Sequence, residues 1–356
     1  MADQRQFQNL DALRGVAAIC VMFRHMPGGL MPAGGLAVDF FFMLSGFVIA
    51  HAYEARLVGG LSFKGFALRR IIRLWPMIAL GVTLGLLCAL FAIAQGATSL
   101  TVAQVLGLSL KSALLIPQTQ TIHSLDEVFP LNGPLWSLFF EVAVNLAYAL
   151  GAYRLSRGPM AALAALGLVA VVMIGDLGGH KVDSLASGFP RVLFGFLAGV
   201  LLHRAWAAGW VPPVRVPLLG LAAALVGLFL VPVPLAGLAL VPVFAVLAAI
   251  VALSARSDAQ TEHKAAAALG QVSYPLYAIH VPIFNLFAIG LAATPLGAMA
   301  QGLIVLVGVP VVSIGGAYAA FHWIDLPARR ALTRWFVGGR REVSPGSVAR
   351  TGSEFA

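Results

Sequence analysis

Charge is scarce in this chain. Only 10% of its 356 residues are Asp, Glu, Lys or Arg, where a soluble globular protein carries about 25%. With 60% hydrophobic residues and a mean hydropathy of +0.91, that scarcity excludes a string of soluble domains and points to one polytopic membrane domain. Cysteine is rarer still. Cys20 and Cys88 both fall in apolar runs, which excludes a disulfide framework, and no Cys/His spacing fits a zinc site, so no metal is expected. No soluble nucleic-acid module is visible. The net charge of +9 comes from cations in short loops between apolar runs, a pattern that reads as membrane orientation rather than nucleic-acid binding. The first apolar segment contains Arg14, Arg24 and His25 and lacks a small-residue cleavage site, so no cleavable signal peptide is expected. Neither a fixed-period repeat nor an inverted half-repeat is evident.

Apolar runs of spanning length lie at 11–30, 36–53, 74–95, 134–152, 159–176, 188–203, 216–232, 236–254, 271–294 and 300–323. With these ten spans, one side receives Arg5, the cations of 54–73, Arg154, Arg157, Arg204, Arg215, Arg256, Lys264 and the basic tail, 18 of the 23 cations. The positive-inside rule makes that side cytoplasmic. An eleventh apolar run, 101–116 with Lys111, would scatter these cations if it crossed, so it reads as a re-entrant or interfacial helix. The expected architecture is an all-α polytopic membrane protein of about ten transmembrane helices, with both termini cytoplasmic. A single transmembrane domain covers 1–325, and 326–356 is a basic tail, partly disordered beyond an amphipathic start.

Against this background the intramembrane polar groups stand out, because ionisable side chains in lipid are costly. Arg14 and His25 are 11 residues apart. At ~100° per residue they share one helix face, separated by roughly 16 Å of rise. Arg14 reads either as an anchor at the helix end or as part of a site. His25, inside the apolar run, needs a partner and a cavity. Asp39 reads as an N-cap or as a partner for a cation or for His25, and Ser45–Gly46 as a close-packing position. Arg69 and Arg73, four residues apart with Arg70 beside them, make either a bidentate phosphate site or stop-transfer charge in contact with anionic lipid. Ser137, Glu141, Asn145 and Tyr148 form a polar stripe on an apolar helix, with Glu141 either functional or paired in the core. Ser273, Tyr277 and His280 share a face that lines a cavity or makes an interhelical contact. Arg191 pairs with an acid such as Asp39 or Glu141.

Taken together, these motifs resemble the membrane acyltransferase-3 family. The resemblance rests on Arg14 and His25 in the first helix, opening LDALRG, on FFMLSGF at 41–47 preceded by Asp39, on RRIIRLWP at 69–76, on WSLFFE at 136–141 and on SYPLYAIH at 273–280. It runs from about residue 9 to 335, with five motifs in order. Many members of that family continue into an SGNH hydrolase-like domain, whereas this sequence ends after a short basic tail and looks like a stand-alone member.

The resemblance implies transfer of an acyl group, acetyl by default, from cytosolic acyl-CoA to a hydroxyl of an exported glycan or glycolipid, in a bacterial inner membrane. Candidate acceptors include O-antigen lipopolysaccharide and exopolysaccharide, and polysaccharide-biosynthesis proteins are candidate partners. The expected catalytic set is His25 as general base, with Arg14, Glu141 and Asp39. Arg14, Arg69, Arg70 and Arg73 are expected to bind acyl-CoA, a cosubstrate rather than a permanently bound cofactor. Ser45, Trp136, Asn145, Tyr277 and His280 are expected against the substrate. The rival class is a proton-coupled secondary transporter or exporter, which uses the same intramembrane His, Arg and Glu groups. The missing repeat and an Arg cluster at a single mouth argue against it.

Overall fold

Runs of Leu, Val, Ala and Phe, broken at Gly and Pro, fold into twelve α-helices in the computed structural model, which describes residues 7–122, 125–232, 236–257 and 264–338. They are α1 (Gln8–Arg24), α2 (Leu36–Val58), α3 (Phe63–Ala94), α4 (Val102–Ala113), α5 (Leu135–Leu150), α6 (Arg157–Ile174), α7 (Gly188–Ala207), α8 (Leu218–Leu230), α9 (Leu240–Arg256), α10 (Lys264–Ala292), α11 (Ala298–Ala320) and α12 (Leu326–Phe336). The only extended pairing among the described residues is two isolated bridges, so the all-helical expectation holds. Among the described residues, seven helical segments are long and apolar enough to cross a membrane: 36–58, 63–94, 157–174, 185–207, 237–256, 264–292 and 298–336. α5 and α8 are apolar but shorter, at 16 and 13 residues.

Two sequence expectations change here. The run 11–30 does not stay helical to its end. Pro27, Gly28 and Gly29 follow α1, and both glycines take positive φ (89° and 62°), a conformation that ends a right-handed helix. His25 therefore caps α1 rather than lying mid-helix. The boundary expected at 325/326 falls inside a continuous helical run, because a π-helical turn at Phe321–Asp325 joins α11 to α12, which packs back on α3. Arg5, His123, His263 and the tail from 339, with Arg340, Arg341 and Arg350, lie outside the described residues. The run 101–116 forms only the 12-residue α4, opened by a capping box at Thr101 and Gln104. At ~1.5 Å per residue it is too short to cross a bilayer.

Small residues bring two helix pairs into close contact. α1 lies along α10, where a Cβ on Gly15 would come within 2.5 Å of the Leu269 carbonyl oxygen and one on Gly270 within 2.7 Å of the Asp11 Cβ. α2 lies along α7, where a Cβ on Gly46 would overlap the Phe196 carbonyl and one on Gly199 the Met43 carbonyl. Without a hydrophobic drive between helices in lipid, such backbone approach supplies the van der Waals contact. Gly46 is thus a packing position, as its sequence suggests. The expected cost of Gly46→Val is at least about 1–3 kcal/mol, because the clash is with backbone rather than a movable side chain. Thermal unfolding of the detergent-solubilised variant checks this, and an unchanged midpoint would show that α2 and α7 are not in contact at that point.

Candidate functional site

Cations collect at one end of the bundle. The end of α2 meets the end of α7 there, where Arg204 Nε donates to Glu54 (3.0 Å) and its other nitrogens donate to the carbonyls of Tyr153 and Leu155. Tyr148, the last member of the polar stripe on α5, donates to the same Glu54 at 2.8 Å. The start of α3 meets the π-helical turn, where Arg73 stands 3.7 Å from the buried Asp325, itself paired with Arg329 at 2.7 Å. Trapped among α1, α2, α3, α5 and α10 at this end is a cavity of about 160 Å³, whose polar lining includes Arg14, Arg70, Arg73, Ser45, Glu141 and Tyr274.

Each polar group in the smaller cavity has a definite neighbour. Arg14 donates from Nε to Ser273 Oγ (2.9 Å) and from Nη2 to the Gly270 carbonyl (3.1 Å), and pairs with Asp11. Glu141 Oε1 accepts from Arg70 Nη2 (2.9 Å) and Ser45 Oγ (3.0 Å). Tyr274 donates to the Leu74 carbonyl at 2.5 Å, and the Arg73 guanidinium lies over its ring. Two guanidinium atoms, Arg70 Nε and Arg73 Nη1, are buried without a hydrogen-bond partner. Buried donors without a hydrogen bond are costly, and for Arg73 Nη1 the nearest compensation is the Asp325 carboxylate at 3.7 Å. Of the expected set Arg14, Arg69, Arg70 and Arg73, the structure brings Arg14, Arg70 and Arg73 to this cavity. Arg69 turns back to the Gly65 carbonyl (3.2 Å) and is not among the cavity's lining residues.

At the other end lies a larger cavity of about 420 Å³, lined by His25, Trp136, Glu127, Asp176, His180 and Arg191 among others. Its roof joins the segments before α5 and before α7. Glu127 bridges Lys181, the Val128 amide donates to the His180 carbonyl, and Val182 donates to the Asp126 carbonyl. Asp126 and Lys181 close the roof with an ion pair of 2.8 Å, and that bond holds the Asp126 carboxyl below its ordinary range.

His25 opens onto this cavity. Its Nδ1 stands 2.9 Å from the Val21 carbonyl and 3.4 Å from His280 Nε2. A carbonyl only accepts, so Nδ1 carries the proton and Nε2 is the free acceptor of the neutral ring. The same logic applies to His280, which is 1% exposed and gives its Nδ1 proton to the Leu276 carbonyl (3.0 Å), leaving Nε2 to face His25. The face shared by Arg14 and His25 is therefore the face against α10, where Ser273 and His280 receive them.

Neither carboxylate expected beside His25 holds it. Glu141 is taken by Arg70 and Ser45. Asp39, 1% exposed, is taken by Arg191 in a bidentate pair with both bonds at 2.7 Å. Arg191 also donates to the carbonyls of Leu177, Gly178 and Gly35, so all five of its N–H groups are used, and its guanidinium lies over Trp136. This pairing was one of the two open for Arg191 in the sequence. Trp136 lines the larger cavity, Ser45 the smaller, and Tyr277 both. Asn145 lines neither; it is fully buried, with both amide atoms unpaired. Sequence reasoning missed Tyr274, Asp325 and Arg329. Tyr274 was readable from its i,i+3 spacing to Tyr277, whereas Asp325 depends on the π-helical turn, which has no sequence signature.

Asp39→Ala strands a buried guanidinium and is expected to cost about 3–5 kcal/mol, while Asp39→Ala with Arg191→Met costs less than the single change. Unfolding of both variants in detergent tests the coupling. Additive losses would mean that the pair is not a structural unit.

Comparison with known proteins places these residues in context. The family profile described as an acyltransferase domain matches residues 7–321. "Protein 2 in picA locus" of Rhizobium radiobacter is 37% identical over 155 residues, covering 40% of this chain and 81% of that protein. "Exopolysaccharide production protein ExoZ" of Rhizobium meliloti is 27% identical over 322 residues, covering 89% of this chain and 94% of that protein. No solved structure matches.

Proposed function

Because this chain belongs to the acyltransferase-3 family, we propose that it moves an acyl group, acetyl by default, from cytosolic acyl-CoA to a hydroxyl of an exported polysaccharide, with His25 as general base. It would do so as a ten-span protein of the bacterial inner membrane with its cation-rich end in the cytoplasm, as the loop charges favour. The polysaccharide acceptor draws on the exopolysaccharide production protein among its relatives.

One observation carries this reading. Two cavities meet at Tyr277, one lined by the guanidinium groups of Arg14, Arg70 and Arg73 and the other by an imidazole whose Nε2 is free. The smaller cavity, lined from α1, α2, α3, α5 and α10, receives the thin pantetheine arm on this reading. The charge of the donor's nucleotide is met by Arg70 and Arg73, with Glu141 fixing the Arg70 fork. On the other side, an acceptor hydroxyl in the larger cavity gives its proton to His25 Nε2. The oxygen attacks the thioester carbonyl, the C–S bond breaks, and the proton passes from His25 to the leaving thiolate. As His25 charges, its Nδ1–H is held by the Val21 carbonyl and His280 Nε2, so His280 takes the orienting role expected of a carboxylate.

Removing a general base costs roughly 10²–10⁴-fold. His25→Ala is expected to lose transfer by that factor while the protein remains in the membrane, read as label moving from acetyl-CoA to polysaccharide together with release of CoA thiol. Full transfer in that variant would end the assignment. Arg70→Ala with Arg73→Ala is expected to raise the KM for acyl-CoA far more than that for the acceptor. An equal effect on both would argue against donor binding at these residues.

A further inference from the structure

We infer that Tyr277 is a specificity-determining residue: its side chain is the wall that keeps a donor thioester away from the water of the larger cavity. This rests on the acyl-CoA reading above. Tyr277 is 5% exposed and lines both cavities. Its ring packs edge-on against Phe41, which lines the smaller cavity, and lies 6.0 Å from the His280 ring. Its hydroxyl is 2.6 Å from Ser137 Oγ and 3.2 Å from the Pro134 carbonyl, which also accepts from Ser137 at 3.1 Å. Two hydroxyls bring two protons, and the carbonyl can only accept. One hydroxyl therefore donates to the other, and the second donates to the carbonyl, so both protons are spent on the latch.

The segment that carries Tyr277 is held from outside its own helix. Pro275 and Pro282 flank it inside α10, and a proline gives no amide hydrogen to the carbonyl four residues back. For Pro282 that carbonyl is Ala278, which instead accepts from Asn132 Nδ2 at 2.9 Å. Asn132, Pro134 and Ser137 belong to one short stretch opening α5. The wall is thus hung from that stretch by side-chain bonds at two points, and the hydroxyl latch is the weaker of them because a swing of the side chain about Cα–Cβ releases it without moving backbone.

The chemistry gives the wall its use. His25 is exposed to the larger cavity and would activate water as readily as an acceptor hydroxyl. Water attacking the thioester forms a C–O bond as the C–S bond breaks, with one proton passing through His25 to the thiolate. The products are the free acid and CoA thiol, and the donor is wasted. A latched Tyr277 holds the thioester apart from that base, and swinging the side chain aside admits it.

The test uses the full-length protein in lipid nanodiscs with labelled acetyl-CoA. Thiol release is measured with and without polysaccharide prepared from cells lacking this protein. Tyr277→Phe keeps the ring and loses the latch. The ratio of acceptor-independent thiol release to transfer is expected to rise roughly fivefold, the factor that one net hydrogen bond is worth. Ser137→Ala removes one of the two partners, leaves the Pro134 carbonyl, and is expected to move the ratio the same way by a smaller factor; it decides the matter if Tyr277→Phe fails to assemble. Adding His25→Ala to Tyr277→Phe is expected to abolish both reactions. An unchanged ratio in variants that still transfer, or an equal fall in hydrolysis and transfer, would overturn the wall. If the wild-type protein releases no thiol from acetyl-CoA or a longer acyl-CoA, the donor reading itself fails and this inference falls with it.

Discussion

A charge inside an apolar helix bundle must be matched, and this constraint shapes the structure. Arg191 meets it in full, with five N–H groups on five acceptors and its carboxylate partner buried beside it. Arg204 meets it with Glu54 and two backbone carbonyls. Both are structural by that criterion, because a fully paired buried ion has nothing left to offer a ligand. Arg70 and Arg73 meet it only in part. Arg70 Nε is buried without a hydrogen-bond partner, Arg73 has only a 3.7 Å ion pair with Asp325, and both residues line the smaller cavity. Arg191 and Arg204 thus belong to the scaffold, and on the proposed reading Arg70 and Arg73 are the arginines left to meet the donor.

The second level of organisation is the contact between α1 and α10. Gly15 and Gly270 let the two backbones approach, and that approach sets Arg14 against Ser273 and His25 against His280. The glycines and the polar pairs are therefore one arrangement. Any bulk at the glycines would separate the imidazoles, whose 3.4 Å contact leaves no slack. The prolines of α10 add a further layer, because the carbonyl freed by Pro282 ties α10 to the loop before α5.

Much of this was legible in the sequence, for reasons that can be named. Helix positions follow from apolar run length, so the ten runs appear as α1–α3 and α5–α11. The common face of Arg14 and His25 follows from periodicity alone. The pairing of Arg191 with Asp39 was open as one of two choices, because a lone intramembrane cation implies an acid without saying which. What could not be read depends on local geometry or on three dimensions. His25 became a helix cap because Pro27 and two left-handed glycines follow it. Arg70 rather than Arg69 faces the cavity because the phase of α3 is set by packing, not by charge spacing. The π-helical turn that aims Asp325 at Arg73 has no pattern in the chain, and the two cavities exist only once five helices have assembled.

The fate of the carboxylates bears on the chemistry of the base. An imidazole paired with a carboxylate is a stronger base, but the pair is an ion in the resting state, and a buried ion needs its own compensation. Here Asp39 and Glu141 are each spent on an arginine, and His25 is held instead by a carbonyl and a neutral imidazole. The resting site on that side thus carries no net charge from the base and its partners. A thioester is a donor for which this suffices, because its leaving thiolate belongs to a thiol with pKa near ~8.5 and needs little help to depart. The work left to His25 on the proposed reading is to deprotonate a hydroxyl at the moment of attack, and Nε2 is its one ring nitrogen with no other bond to break. On the proposed reading, a modest base beside an activated donor is enough. The demanding task is then to keep that donor from water, which is where the two-cavity plan places the protein's remaining polar bonds.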